Sequence, residues 1–259
     1  EDASSAASDV YKRQQNERLA EQFSQLGAPQ SLSAGNLKAD APPPPVDEAA
    51  KADMSAAFWG RPIWLAASTH PGEDEIVGAA HAKIKAALPG IATIVVPRHP
   101  ERGPAIAEML RTRGLKVTLR SEGGGIDAKT DIYVADTIGE LGLFYALTPV
   151  AFIGGSLVKH GGQNPVEAIK LGAAVLAGPH VHNFREMYAD LLKTGGARKV
   201  DDADSLADAV LELLQNEVAR KEAHAQATTC VAAMTGALPK TLAAIEAYFP
   251  DKVSLQHAS

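Results

Sequence analysis

From residue 63 onward the chain alternates two rhythms. Short apolar runs at 63–68 (IWLAAS), 92–96 (ATIVV), 115–119 (LKVTL), 132–135 (IYVA), 150–153 (VAFI) and 173–177 (AAVLA) read as strands. Between them, apolar residues recur at helical spacing, most clearly at Ile76, Ala80, Ile84 and Leu88. Helices are predicted over 76–88, 101–113, 139–147, 165–171 and 183–192, and most of 205–249 is helical in pattern. Strands apolar on both faces, alternating with helices, indicate a parallel sheet covered on each side. The fold class is therefore α/β: a Rossmann-like, doubly wound parallel sheet over residues 61–236, followed by a C-terminal helix and tail at 237–259.

The pattern before residue 61 is different. Leu19, Phe23 and Leu26 mark a short amphipathic helix closed by Gly27, and 31–38 (SLSAGNLK) reads as a short strand. The proline run in APPPPVDEAA can be neither helix nor central strand, so 42–60 reads as a linker. The segment 15–41 is too short for a domain and reads as the end of one. Residues 1–14 (EDASSAASDVYKRQ) lack an initiating Met and continue into no later pattern. They read as a cloning or assembly leader with little structure of its own.

Composition narrows the function classes. With 259 residues, 46% of them hydrophobic, the chain can bury a large core. A net charge of −6 argues against nucleic acid as a partner. Cys230 is the single cysteine and falls in a helical pattern, so it reads as a core residue rather than a nucleophile. No apolar run approaches the ~20 residues that span a bilayer.

In doubly wound sheets ligands bind beyond the carboxyl ends of the strands. Those ends carry Ser68-Thr69-His70, Pro97-Arg98-His99, Asp136-Thr137, Gly154-Gly155-Ser156 and Gly178-Pro179-His180. The chain has neither GxGxxG after its first strand nor GxxxxGK[ST], which disfavours a nicotinamide enzyme or a P-loop NTPase. It has no GxSxG elbow, and His180-x-His182 lacks the further ligands of a metal centre. The stretch 152–168 (FIGGSLVKHGGQNPVEA) reads as a strand broken by glycine pairs that restarts as a helix. Asn164 stands at the cap, Pro165 at the first helical position and Glu167 three residues after the cap, which makes a capping box. The glycines and the free N–H groups of the helix start suit an anion; an ordinary strand-to-helix turn would look the same. Arg98 and His99 suit a phosphate or a base edge, or a solvated loop. Asp136 or Thr137 caps the next helix, and Glu140 lies favourably near its N-terminus. Glu167 suits a ribose diol as well as a cap.

Five blocks in order, AASTHPGEDE (66–75), VPRHPER (96–102), ADTIGELGLFYAL (135–147), FIGGSLVKHGGQNPVEA (152–168) and AGPHVHNFRE (177–186), resemble the 3-deoxy-D-manno-octulosonic acid (Kdo) transferases of lipid A assembly. QNERLAEQFSQLGA and SAGNLK resemble the end of that family's N-terminal half. The chain departs from the family at Pro71, where relatives carry Glu, and at Ala168, where they carry Pro.

The resemblance implies the C-terminal half of a GT-B glycosyltransferase, an inverting, metal-independent enzyme needing no cofactor, that passes Kdo from CMP-Kdo to a lipid A precursor. It implies nucleotide binding by Pro97, Arg98 and His99, by Ile138, Gly139 and Glu140, and by Asn164, Pro165, Val166 and Glu167. Ser68, His70 and Ser156 become candidate contacts to the donor phosphate or Kdo. The family's catalytic glutamate and acceptor site belong to its N-terminal half, so no catalytic residue is expected here and this chain alone should transfer nothing. The intact enzyme is expected at the cytoplasmic face of the bacterial inner membrane, and this fragment is expected to be soluble. The alternatives are another GT-B enzyme using a UDP-sugar, or a nucleotide-binding module without catalysis.

Overall fold

The computed structural model describes residues 11–14, 17–28, 30–123 and 125–246. It divides into two compact units: Pro43–Cys230, and the described residues before and after that span.

In the smaller unit, β1 (Tyr11–Gln14), α1 (Glu17–Gln25) and β2 (Gln30–Ser33) form a strand–helix–strand unit with parallel pairing, Tyr11 opposite Gln30. The expected leader thus contributes a strand at 11–14; its first ten residues lie outside the described ones. The strand expected at 31–38 is shorter, because Asn36 turns the chain into α2 (Leu37–Asp40) by accepting from the Lys38 N–H at 3.0 Å. The Asp40 carboxylate accepts from the N–H groups of Gly236 and Leu238, each at 2.6 Å, at the start of the last helix.

The larger unit opens with a helix that the linker reading missed. α3 (Glu48–Ala57) follows directly on the prolines, started by Asp47, whose carboxylate accepts from the Ala49 and Ala50 N–H groups. Then come β3 (Ile63–Thr69), α4 (Glu73–Ala87), β4 (Ala92–Pro97), α5 (Gly103–Thr112), β5 (Val117–Leu119), β6 (Ile132–Val134), α6 (Leu141–Leu147), β7 (Val150–Ile153), α7 (Val166–Lys170), β8 (Ala174–Ala177), α8 (Arg185–Thr194), β9 (Ala197–Lys199), α9 (Ala203–Gln215) and α10 (Glu217–Ala233). The end of α10, from Val231, and α11 (Ala237–Glu246) belong to the smaller unit. The expected helical stretch beyond 246 lies outside the described residues.

The strands form one seven-stranded parallel sheet in the order β5-β6-β4-β3-β7-β8-β9. The doubly wound fold class is what the strand runs imply. The seventh strand, β9, is short and carries Arg198 and Lys199 at the sheet edge, so it gives no apolar run to read. Trp64, Ala66, Val95, Val134, Phe152 and Leu176 pack from one sheet face against Ile84 of α4, Leu110 of α5 and Val210 of α9. On the opposite face Tyr133 meets Phe58 edge-on at 6.2 Å and Phe144 of α6 at 6.4 Å. The winding direction reverses between β3 and β7, and the carboxyl ends of these two strands are where such a sheet opens a ligand crevice.

Candidate functional site

β3 ends in a distortion. Its register against β4 shifts between Ala67 and Thr69, and Ser68 takes φ +54°, a left-handed conformation rare outside glycine. β7 closes on it: the Gly154 N–H donates to the Ala67 carbonyl at 2.8 Å, and any side chain at Gly154 would overlap the Ser68 carbonyl. The first glycine is therefore required by close packing of the two strand ends.

The amides that follow already hold an anion. Glu73, fully buried at the first position of α4, accepts from four backbone N–H groups. His70 and Gly155 donate to Oε2 at 2.9 and 2.6 Å, and Ser156 and Leu157 to Oε1 at 3.0 and 2.9 Å. The Ser156 hydroxyl is equally committed, donating to the Ile153 carbonyl at 2.5 Å and accepting from the Gly178 N–H at 2.8 Å. This corrects the expectation that Ser156 faces the donor: it is wholly buried, and its role is to join the ends of β7 and β8.

His70 is the centre of the site. Its ring stacks on His160 at 3.7 Å and stands edge-on to His99 at 6.3 Å. The amide nitrogen of Gln163 lies 3.0 Å from its Nε2. Burial, reinforced by His160, His99, Arg102 and Arg98, pulls the imidazole down to about 4, so it is neutral near pH 7. Arg98 is exposed at the end of β4, its backbone N–H held by the Thr69 carbonyl at 3.0 Å. Arg102 donates to that carbonyl at 2.9 Å and ion-pairs with Asp74, whose other oxygen accepts from the Thr69 hydroxyl at 2.6 Å. Both guanidinium groups lie near enough to His70 to disfavour its protonation.

The other expected residues stand farther along the rim. The Ile138–Glu140 loop follows β6, with Gly139 at φ +89° and Ile138 almost fully exposed. Glu140 is gripped by the Arg120 guanidinium, which also donates to the Tyr133 hydroxyl at 2.9 Å, and it accepts from Thr137. Arg120 holds the Glu140 carboxyl below its ordinary range. Neither Asp136 nor Thr137 caps α6 as expected. Asp136 accepts from the Ser121 N–H and hydroxyl at 2.9 and 2.6 Å, while Thr137 turns onto Glu140. α7 starts one residue later than expected, at Val166, whose N–H donates to the Asn164 side chain at 3.2 Å. Pro165 and Val166 are buried there, and half-buried Glu167 helps burial itself push up the Tyr145 phenol.

The structure thus gathers Ser68, His70, Pro97, Arg98 and His99 at the joined ends of β3 and β4, and Gln163 ties the approach to α7 to the same ring. It does not join Glu140 to them: that carboxylate turns to Arg120. Glu73, Arg102, Arg120, His160 and Gln163 were not anticipated. The available signal for Glu73 was an acidic triplet, Glu73-Asp74-Glu75, opening a helix just after Gly72. Among the described residues, no group of three His, Cys, Asp or Glu side chains is placed to hold a metal, and no helix is long and apolar enough to cross a membrane.

No family model matches the chain. The crystal structure of the C-terminal CMP-Kdo binding domain of WaaA from Acinetobacter baumannii superposes with a TM-score of 0.66 and 32% sequence identity, covering 71% of this chain and 98% of that domain. The chain belongs to the Kdo transferase family. The 3-deoxy-D-manno-octulosonic acid transferase of Haemophilus influenzae is 36% identical over 206 residues, 78% of this chain and 48% of the relative. That of Bordetella pertussis is 37% identical over 228 residues, 86% of this chain and 53% of the relative. The chain therefore spans about half the length of the Kdo transferases it matches. Sucrose-phosphate synthase from Thermosynechococcus elongatus shares the fold at a TM-score of 0.54 with 16% identity.

Proposed function

We propose that this chain binds CMP-Kdo and supplies the donor half of a transferase that passes Kdo to a lipid A precursor in lipopolysaccharide assembly. The observation that carries the reading is the cluster of His70, Arg98 and His99 at the strand ends beside the β3–β7 reversal, in a chain that aligns with nearly the whole of a CMP-Kdo binding domain. Arg98 and His99 contact the phosphate of CMP, the Ile138–Glu140 loop the base, and the start of α7, with Asn164 and Glu167, the ribose.

Cleaving the bond from Kdo to CMP builds positive, oxocarbenium-like character at the anomeric carbon and negative charge on the departing phosphate. The Arg98 guanidinium, on a backbone held by the Thr69 carbonyl, stabilises that charge. His70, neutral and donor-capable beside it, adds a hydrogen bond without a second full charge. The base that takes the acceptor's proton comes from the family's N-terminal half, and with it the acceptor site and the contact with the cytoplasmic face of the inner membrane.

Titration calorimetry with CMP, UMP and UDP tests the reading. CMP should bind and the uridine nucleotides should bind at least about tenfold more weakly, a difference of about 1.4 kcal/mol. Equal or tighter binding of UMP or UDP refutes the donor assignment.

A further inference from the structure

Glu73 has a more specific consequence for the site. A loop that presents three consecutive N–H groups at a strand end is an anion seat, and in a nucleotide-binding sheet the expected occupant is the ligand's phosphate. Here a carboxylate from the neighbouring helix fills the seat completely, and Glu73 has no solvent-exposed surface. The same carboxylate accepts from the His70 N–H, so one side chain clamps the residue that opens the crevice to the loop that closes it. The loop is also closely packed at its glycines. A side chain at Gly154 would overlap the Ser68 carbonyl, and a Cβ at Gly155 would stand 3.1 Å from the His70 ring.

We propose that Glu73 is a positioning residue acting as an internal anion, fixing His70 and the 154–163 loop in their ligand-ready arrangement and excluding the nucleotide phosphate from the Gly155–Leu157 amides. The phosphate is then met by side chains at the crevice mouth, where Arg98 is exposed. This rests on the reading that the crevice binds CMP. The carboxylate oxygens are required as acceptors on both sides, since Oε1 and Oε2 each receive two N–H groups. An amide in its place must turn an NH2 group toward one of these pairs, whichever way it is flipped. Glu73→Gln therefore breaks the clamp while keeping its shape, and Glu73→Ala empties the seat.

The test uses the full 259-residue chain. Formate, a free carboxylate small enough for the vacated seat, is the probe. In Glu73→Ala, formate should shift the amide resonances of Gly155, Ser156 and Leu157 and restore CMP affinity, which falls about tenfold or more in its absence. Matched chloride should do neither. A passive packing role would give lower stability with no formate-dependent amide shifts and no rescue, and that result overturns the proposal. CMP binding by Glu73→Gln equal to that of the native chain overturns it as well. Should Glu73→Ala not fold, Glu73→Gln carries the decision through its CMP affinity and through loss of the native His70 and Gly155 amide shifts. Should the native chain itself not bind CMP, the functional reading fails separately, and the formate shifts in Glu73→Ala still decide whether the amides form an anion seat.

Discussion

Arg120→Met probes how the Ile138–Glu140 loop is held. The guanidinium makes two charge-assisted hydrogen bonds to Glu140 and one to Tyr133, and lies 5.8 Å from the centroid of the Phe144 ring. The partner side chains are 24% and 29% exposed, intermediate between a surface pair and a buried one. Exposed pairs contribute ~0.2–1 kcal/mol and breaking a buried pair costs ~3–5 kcal/mol. We expect a loss of about 1.5–3 kcal/mol, the usual value of hydrogen bonds to charged groups. Methionine keeps much of the apolar stem, so most of this loss is electrostatic. Urea unfolding at pH 7 should show a lower midpoint with an unchanged slope. A cycle with Glu140→Gln should show the two changes to be strongly non-additive. The pH dependence fixes the sign. The folded Glu140 carboxyl lies below its ordinary 4.5, so its stabilisation is complete above that pH and is lost as the pH falls through the lowered folded value. The difference between native chain and variant should therefore shrink in acid. A loss under about 0.5 kcal/mol at pH 7, or one independent of pH down to the unfolding range, refutes the anchoring role.

Two further outcomes test the frame of the site. Gly178→Ala should cost about 3 kcal/mol or more by thermal or urea unfolding, because the new methyl group would overlap the Ser156 carbonyl group, backbone that cannot rotate away; Gly172→Ala, with nothing within 4 Å but a φ of +97°, should cost only the ~1–2 kcal/mol of left-handed strain. His81 is fully buried against Thr93 at 2.8 Å, and burial pulls its imidazole down to about 4. Between pH 6.5 and 4 the unfolded chain binds a proton there that the folded chain refuses, so stability falls with falling pH by up to about 1.4 kcal/mol per unit for this group. His81→Asn should flatten that part of the stability–pH curve.

Sequence alone determined the fold class, since apolar runs between helical patterns admit little besides a covered parallel sheet. It did not show that Gly154 and Gly178 leave space for neighbouring backbone, a contact that only the folded strand ends create. It did not reveal α3, whose Ala-rich, weakly amphipathic stretch sits behind a proline run, or β9, too short and too polar to stand out as an apolar run. Above all, it could not show what the glycine loop binds. Three amides that invite an anion look the same in sequence whether a phosphate or a side chain answers them. Glu73 is 82 residues from Gly155 in the chain, and only the packing of α4 over the joined ends of β3 and β7 brings its carboxylate there. Local chemistry set the demand for an anion, and tertiary structure met it from within, through the Glu73 carboxylate.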